Sequence, residues 1–211
     1  MYKRQVIDAV NKNDFRKAEE YAWDITQSLV GNEETKMEKI WRDGEMSVIA
    51  GAIMSVVFDN KEHPEYQNLT NVYSFISEMC RTVGQTMPIN KYIENLPPDH
   101  PSSTIFNIAR IAPEKTRGSF FTSALTTLRL FTSKSIYGMT CKSDFSLKQS
   151  GERKTVTYII LPDEKTTYYP LASLFVYQNY VSLVEFADER GGELKLSLIH
   201  ISEPTRLRCI S

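Results

Sequence analysis

The sequence is short of the residues that build metal sites and disulfide frameworks. Among 211 residues there are only three cysteines and three histidines. They are scattered without any metal-ligand spacing, at Cys80, Cys141, Cys209, His63, His100 and His200. The sequence therefore disfavours both a zinc site and a disulfide scaffold.

Glycine, proline and long apolar runs are also scarce. Nine glycines and nine prolines argue against a collagen-like or low-complexity chain, whereas 41% hydrophobic and 24% charged residues are typical of a packed domain. The longest apolar runs span about five residues, far fewer than the roughly 18 that cross a bilayer. No charged-then-apolar signal segment opens the chain.

Neither sign of charge is in clear excess, because the formal net charge is −1. No basic stripe with interleaved aromatic residues is present, so we expect no direct nucleic-acid patch in this sequence. The phosphate loop G-x-x-x-x-G-K-[ST] and the nucleophile motif G-x-S-x-G are missing as well. No catalytic, cofactor-binding or metal-binding residue can therefore be assigned from a motif.

Helical periodicity dominates residues 6–134. Apolar side chains recur at spacings of three and four, which predicts helices over about 15–29, 36–58, 69–83 and 116–133. Between the last two lies a proline-rich loop at 88–103 with a short helix at 89–95, followed by a helix over 103–112 capped by Ser102 or Ser103. Gly44 and Gly51 each weaken the second helix by about 1 kcal/mol relative to alanine, and close helix packing is one reason to have them there.

The period changes near residues 134–136, which is the best candidate for a domain boundary. Residues 136–141 have a short, extended pattern. Residues 155–161 are β-branched and aromatic, which predicts a strand buried on both faces, as in a parallel sheet. A long helix over about 167–189 is predicted to follow and to end at a pair of glycines. We therefore expect a helical region, 6–134, and an α/β region, 135–195.

Three residues are candidates for a position near a nucleotide or at a subunit interface. Asp163 follows the carboxyl end of the predicted strand, where ligands bind in open α/β sheets; a helix-entry carboxylate is the alternative. Arg117 is a cation at a helix start, which either meets a phosphate or another subunit or is simply exposed. Gln178 interrupts an apolar helix face and must find partners in a site or in the core. His63 and His100 are interpreted as solvated loop residues.

The predicted strand–helix unit carries a family resemblance. Its three segments are Lys154-Thr-Val-Thr-Tyr-Ile-Ile-Leu-Pro-Asp163, Thr166-Thr-Tyr-Tyr-Pro-Leu-Ala-Ser-Leu-Phe-Val-Tyr-Gln178 and Leu183-Val-Glu-Phe-Ala-Asp-Glu-Arg-Gly-Gly-Glu-Leu194. They resemble TraG-type coupling proteins of conjugative type IV secretion systems. Upstream, Ile40-Trp-Arg-Asp-Gly-Glu45 and Thr116-Arg-Gly-Ser-Phe-Phe121 are similar to two helix starts of that family. The resemblance covers roughly residues 14–195.

The resemblance implies a membrane-anchored, hexameric ATPase that recruits DNA–protein substrates from the relaxosome and drives DNA through the secretion channel. The implied fold is α/β, a RecA-like P-loop NTPase core with an inserted, mostly α-helical domain. The intact protein would use ATP and Mg²⁺ at the cytoplasmic face of the bacterial inner membrane, with its anchor upstream. The phosphate loop and the Walker B acids would lie outside residues 6–195, so this fragment is expected to be inactive as an enzyme.

Both termini resemble translated sequencing-adapter DNA. The tail from Leu196 reads Leu-Ser-Leu-Ile-His-Ile-Ser-Glu-Pro-Thr-Arg, which resembles the translation of a transposase adapter, and Met1 to Gln5 resembles the opposite strand of the same adapter. Residues 1–5 and 196–211 are therefore expected to be artefacts that flank a central fragment. The alternative is a natural strand at 196–201 followed by a turn.

Two other functions stay open. A related septal-type DNA translocase would carry different membrane segments and a different DNA-reading part. A non-enzymatic helical module would only bind protein partners, and no nucleotide chemistry would be associated with it.

Overall fold

The computed structural model describes residues 4–31, 36–81, 83–84, 86–142, 144–162, 166–192 and 194. Within these residues the chain forms ten α-helices. They are α1 (Arg4–Asn11), α2 (Phe15–Val30), α3 (Lys36–Asp59), α4 (Leu69–Met79), α5 (Pro88–Glu94), α6 (Asn107–Ile111), α7 (Glu114–Leu128), α8 (Lys134–Thr140), α9 (Gln149–Glu152) and α10 (Tyr169–Glu189). Short 3-10 helices lie at Pro64–Tyr66, Arg129–Thr132 and Thr166–Tyr168.

The centre of the fold is α3. Helices α1, α2, α4, α6 and α7 all pack against it, and residues 44–57 are buried without interruption. A helix that is apolar on every side requires neighbours on every side. The broad apolar stripe in the sequence indicates such a helix, and the five packed helices are its neighbours. The prediction of a long helix over 36–58 is confirmed.

Two glycines of α3 allow aromatic rings to approach its backbone. A Cβ atom on Gly51 would lie 2.6 Å from Cε1 of Phe106, and on Gly44 it would lie 2.4 Å from Cζ of Phe120. Carbon atoms do not pack that closely, so the two rings occupy the space that a side chain would need. Close packing therefore explains why glycine is tolerated inside this helix.

Polar side chains fix α6 and α7 on α3. The buried carboxylate of Glu45 accepts hydrogen bonds from Ser123 Oγ at 2.6 Å and from Thr127 Oγ1 at 2.5 Å, both on α7. Ser47 Oγ donates to the carbonyl oxygen of Ile105, just before α6. Because an unpaired buried polar group costs about 1–3 kcal/mol, these bonds favour one register between the helices.

Local signals set several helix ends. Asp14 accepts a hydrogen bond from the backbone N–H of Lys17 at 3.1 Å, and Asn68 accepts one from Asn71 at 2.9 Å. Each bond satisfies a donor that the first turn of a helix leaves free. Gly31 ends α2 with a φ of 82°, a conformation that favours glycine.

Helix α10 packs against α2 and α9. Its buried residues recur at helical spacing and are Leu171, Leu174, Gln178, Ser182, Leu183 and Phe186. At the margin of the contact, Lys17 Nζ lies 3.2 Å from a Glu185 carboxylate oxygen, and Tyr21 donates its hydroxyl to the same carboxylate. The helix predicted over 167–189 is thus confirmed, and it contacts α2, α9 and, through a hydrogen bond from Gln5 Nε2 to Ser182 Oγ at 3.2 Å, α1.

The predicted sheet is not observed, so the α/β, RecA-like fold expected from the sequence is wrong for the described residues. The one β contact among them is an isolated bridge between Val83 and Thr86. Residues 155–161, the expected buried strand, form no regular secondary structure and pair with no other described segment, and Tyr158 and Ile160 are 83% and 92% exposed. A strand obtains its hydrogen bonds from a neighbouring strand, and no other described segment supplies one.

Other elements also differ from the predictions. Residues 136–141, expected to be extended, lie mostly in α8, where Ile136 and Thr140 are one turn apart and both buried. The helix expected over 103–112 shortens to α6, because residues 101–106 form turns and Ser102 bonds to His100 rather than capping a helix. The helix expected over 69–83 ends at Met79.

The predicted boundary near residue 134 coincides with the start of α8. Ile136, Leu171 and Leu174 lie beyond it and belong to the same hydrophobic cluster as α3; the division into two regions stays a prediction. Residues 196–211, the expected adapter tail, and residues 1–3 lie outside the described residues, whereas Arg4 and Gln5 open α1. Among the helices described, none is both long enough and apolar enough to cross a bilayer.

Candidate functional site

Arg117 lies in the first turns of α7 and bonds to other parts of the chain. Its Nη1 donates to Asn90 Oδ1 at 2.8 Å, and its Nη2 donates to the carbonyl oxygens of Arg110 at 3.0 Å and Ala112 at 3.1 Å. These carbonyls lie at the C-terminal end of α6, where a cation is electrostatically favoured. The guanidinium therefore links α5, α6 and α7, which gives it a structural role; a role toward nucleotide or a subunit stays a prediction.

Gln178 is buried on the apolar face of α10, with 2% of its surface exposed. Leu174 and Ser182 flank it one turn away on either side. Arg117 bonds toward α5 and α6, so these two candidates do not form one site. Asp163, the third candidate, lies outside the described residues.

His100 is buried rather than solvated, which corrects the interpretation from sequence. Its Nε2 lies 3.1 Å from Asp59 Oδ1, and its Nδ1 lies 2.7 Å from Ser102 Oγ. Tyr92 donates its hydroxyl to the other carboxylate oxygen of Asp59 at 2.7 Å. These bonds fasten the proline-rich loop to the end of α3. His63, in contrast, is exposed, as expected.

The set Ser102, His100 and Asp59 has the residue types of a hydrolytic triad, but its burial excludes that chemistry. Ser102 has no exposed surface, and a nucleophile must reach its substrate. Ser102 is also engaged by Ser55 of α3, with the two Oγ atoms 3.1 Å apart. The sequence could not reveal this cluster, because Asp59 and His100 are separated by 41 positions.

Burial also determines how some ionisable groups behave. It raises the pKa of the Cys80 thiol to about 12, so little reactive thiolate is present at neutral pH. Burial is likewise the main cause of a raised pKa for Tyr92, and the nearby Asp59 carboxylate adds to the rise. Over the part of the chain that the structure describes, no three His, Cys, Asp or Glu side chains are grouped so as to hold a metal ion.

The outward side of α10 presents an uncharged, partly aromatic surface. We call it the α10 outer face and define it by Tyr169, Ser173, Val176, Tyr180 and Val184. The spacing of three and four residues places them on one side of the helix, and the four large side chains are 37–55% exposed. Residues 166–184 contain no charged side chain. Exposed surfaces of this kind are typical of interaction sites.

An apolar cleft of about 500 Å³ lies beside this face. Its walls include Met139 of α8, Phe145, Phe175 of α10 and Ile160 of the segment 155–161. No backbone–backbone hydrogen bond joins residues 155–161 to other described residues. The cleft therefore suits apolar or protein surfaces, and none of the described residues that line it carries a positive charge.

Comparison with known protein families identifies one match over nearly the whole chain. The family model is described as Type IV secretory system Conjugative DNA transfer, and it matches residues 6–199. It begins directly after the expected N-terminal adapter residues and includes residues 196–199 of the expected tail, so the adapter origin of the termini stays a prediction. No curated protein and no solved structure matches the chain. The chain therefore belongs to the type IV secretory system conjugative DNA transfer family.

Proposed function

We propose that this chain is part of a TraG-type coupling protein, which uses ATP to recruit DNA–protein substrates and pump them into a type IV secretion channel during conjugation. The family match over residues 6–199 carries the proposal. The resemblance of residues 154–194 to coupling proteins supports the TraG type. ATP-driven pumping goes beyond the membership in a conjugative DNA-transfer family.

The proposal includes cofactors, partners and a location. ATP and Mg²⁺ would power the intact protein, because phosphoryl transfer depends on positioned phosphates and charge stabilisation. The relaxosome with its DNA, the secretion channel and further copies in a hexamer would be the partners, at the cytoplasmic face of the inner membrane. We place nucleotide binding outside residues 6–195, because these residues contain no phosphate-loop motif.

Deleting the gene in its conjugative donor tests the DNA-transfer role. A coupling protein acts on DNA that the relaxosome has already nicked, so transfer should fall to background while nicking at the transfer origin continues. A plasmid copy of the gene should restore transfer. Loss of nicking together with transfer would assign the protein to DNA processing and contradict the proposal.

A nucleotide assay on the purified chain tests where ATP is bound. The chain should neither bind a fluorescent ATP analogue nor release phosphate from ATP in the presence of Mg²⁺. Turnover that disappears when Mg²⁺ is removed would show that residues within this chain form the nucleotide site. That outcome would overturn its placement elsewhere but leave the role in DNA transfer intact.

A helical protein-binding module without enzymatic activity is the second candidate, and the α10 outer face favours it. Val176→Glu and Tyr180→Glu place charges on this face without touching the buried side of α10. The circular dichroism spectrum should stay unchanged while transfer falls, whereas Val83→Glu, at a position 54% exposed elsewhere, should leave both unchanged. Normal transfer by both α10 variants would exclude this face from the function.

Binding measurements then separate the two candidates. A non-enzymatic module should bind purified relaxosome or channel components equally well with and without ATP. A motor should show binding or release that changes with ATP. If Val176→Glu or Tyr180→Glu changes this binding, the Val83→Glu variant provides the control for nonspecific effects of an added charge.

A further inference from the structure

We draw no further inference here: the strongest candidate, the α10 outer face together with the apolar cleft walled by residues 157–162, is exposed among the described residues, but nothing in the structure shows what covers it.

Discussion

The helices around α3 and the region from residue 144 to 192 differ in how far their apolar side chains are covered. Residues 44–57 of α3 are buried without interruption, because five other helices pack against α3. Along α10, α2 and α9 pack against one side while the outer face stays exposed, and residues 155–160 are exposed as well. The difference shows that an apolar composition predicts a need for burial but does not identify the element that provides it.

The two kinds of backbone in the second region respond differently to missing neighbours. A helix forms its hydrogen bonds within itself, so α10 is complete with only one side covered. A strand forms its hydrogen bonds with another strand, and residues 155–161 pair with no other described segment and form no strand. The same physical difference explains why helices were the more predictable elements.

Removing one aromatic side chain from each region should give the largest difference. Phe106 is 2% exposed and packs on Gly51, so Phe106→Ala should lower the free energy of unfolding by about 3–5 kcal/mol. Tyr158 is 83% exposed, and Tyr158→Ala should change it by less than about 0.5 kcal/mol. Urea unfolding monitored by circular dichroism measures both. Similar losses for the two variants would mean that residues 155–161 are packed and would remove the contrast.

Adding one methyl group to a glycine tests how tightly the first region is packed. Gly51→Ala should lower the free energy of unfolding by about 1–3 kcal/mol, because the new Cβ would overlap the Phe106 ring. On α7, nothing lies within 4 Å of a Cβ built on Gly118, so Gly118→Ala should raise it by about 0.5–1 kcal/mol. Thermal and urea unfolding measure both changes. Stabilisation by both variants would show that the Phe106 ring can move aside at little cost.

Replacing Arg117 sharpens the assignment of a residue that the sequence marked as a candidate. Arg117→Lys removes the forked guanidinium that bonds Asn90 and the α6 carbonyls, so stability should fall by about 1–2 kcal/mol. Arg110→Lys is the matched control on an exposed side chain and should stay within about 0.5 kcal/mol. Unfolding and conjugation are measured together. Unchanged stability with lost transfer would instead support contact with a phosphate or another subunit.

The smallest expected effect concerns an exposed ion pair in the second region. A hydrogen bond from Lys148 lowers the pKa of Glu189 below its ordinary value of 4.5. The pair therefore stabilises the fold above that value, and its contribution is lost as the pH falls through the lowered pKa. Glu189→Gln should slightly lower the urea midpoint at neutral pH and leave it unchanged in strong acid.

High salt should weaken this effect, because the pair is exposed and screened. Asp188→Asn, at the neighbouring exposed position, provides the control and should show no such pH dependence. If the two variants responded to pH in the same way, the Lys148–Glu189 pair would have no specific role.

Long helices could be predicted from the sequence because each one shows its own period. The predicted ranges 15–29 and 36–58 differ from α2 and α3 by single residues at their ends. Short segments could not be predicted as well, since α8 depends on the burial of Ile136 and residues 155–161 depend on a partner strand. Their residue types are compatible with more than one backbone, and neighbouring elements decide between them.

For the candidate residues as well, the sequence showed local features but not the contacts with distant residues. A cation at the start of α7 was visible in the sequence, but its partner Asn90 lies 27 positions away. The burial of His100 was missed because a histidine in a polar, proline-rich loop is usually solvated, and only Asp59 and Ser102 in space change its surroundings. Pairings across such distances leave no periodic signal along the chain.

By itself, the sequence determined the long helices and the resemblance to conjugative DNA-transfer proteins, which the family match confirms at that level. Both depend on the order of residues along the chain, which the sequence contains in full. Tertiary structure alone decided that residues 155–161 pair with no other described segment, that Arg117 joins three helices, that His100 is buried and that the α10 outer face is exposed. Each of these depends on which distant segments meet, because hydrogen bonds and burial are completed by neighbours in space.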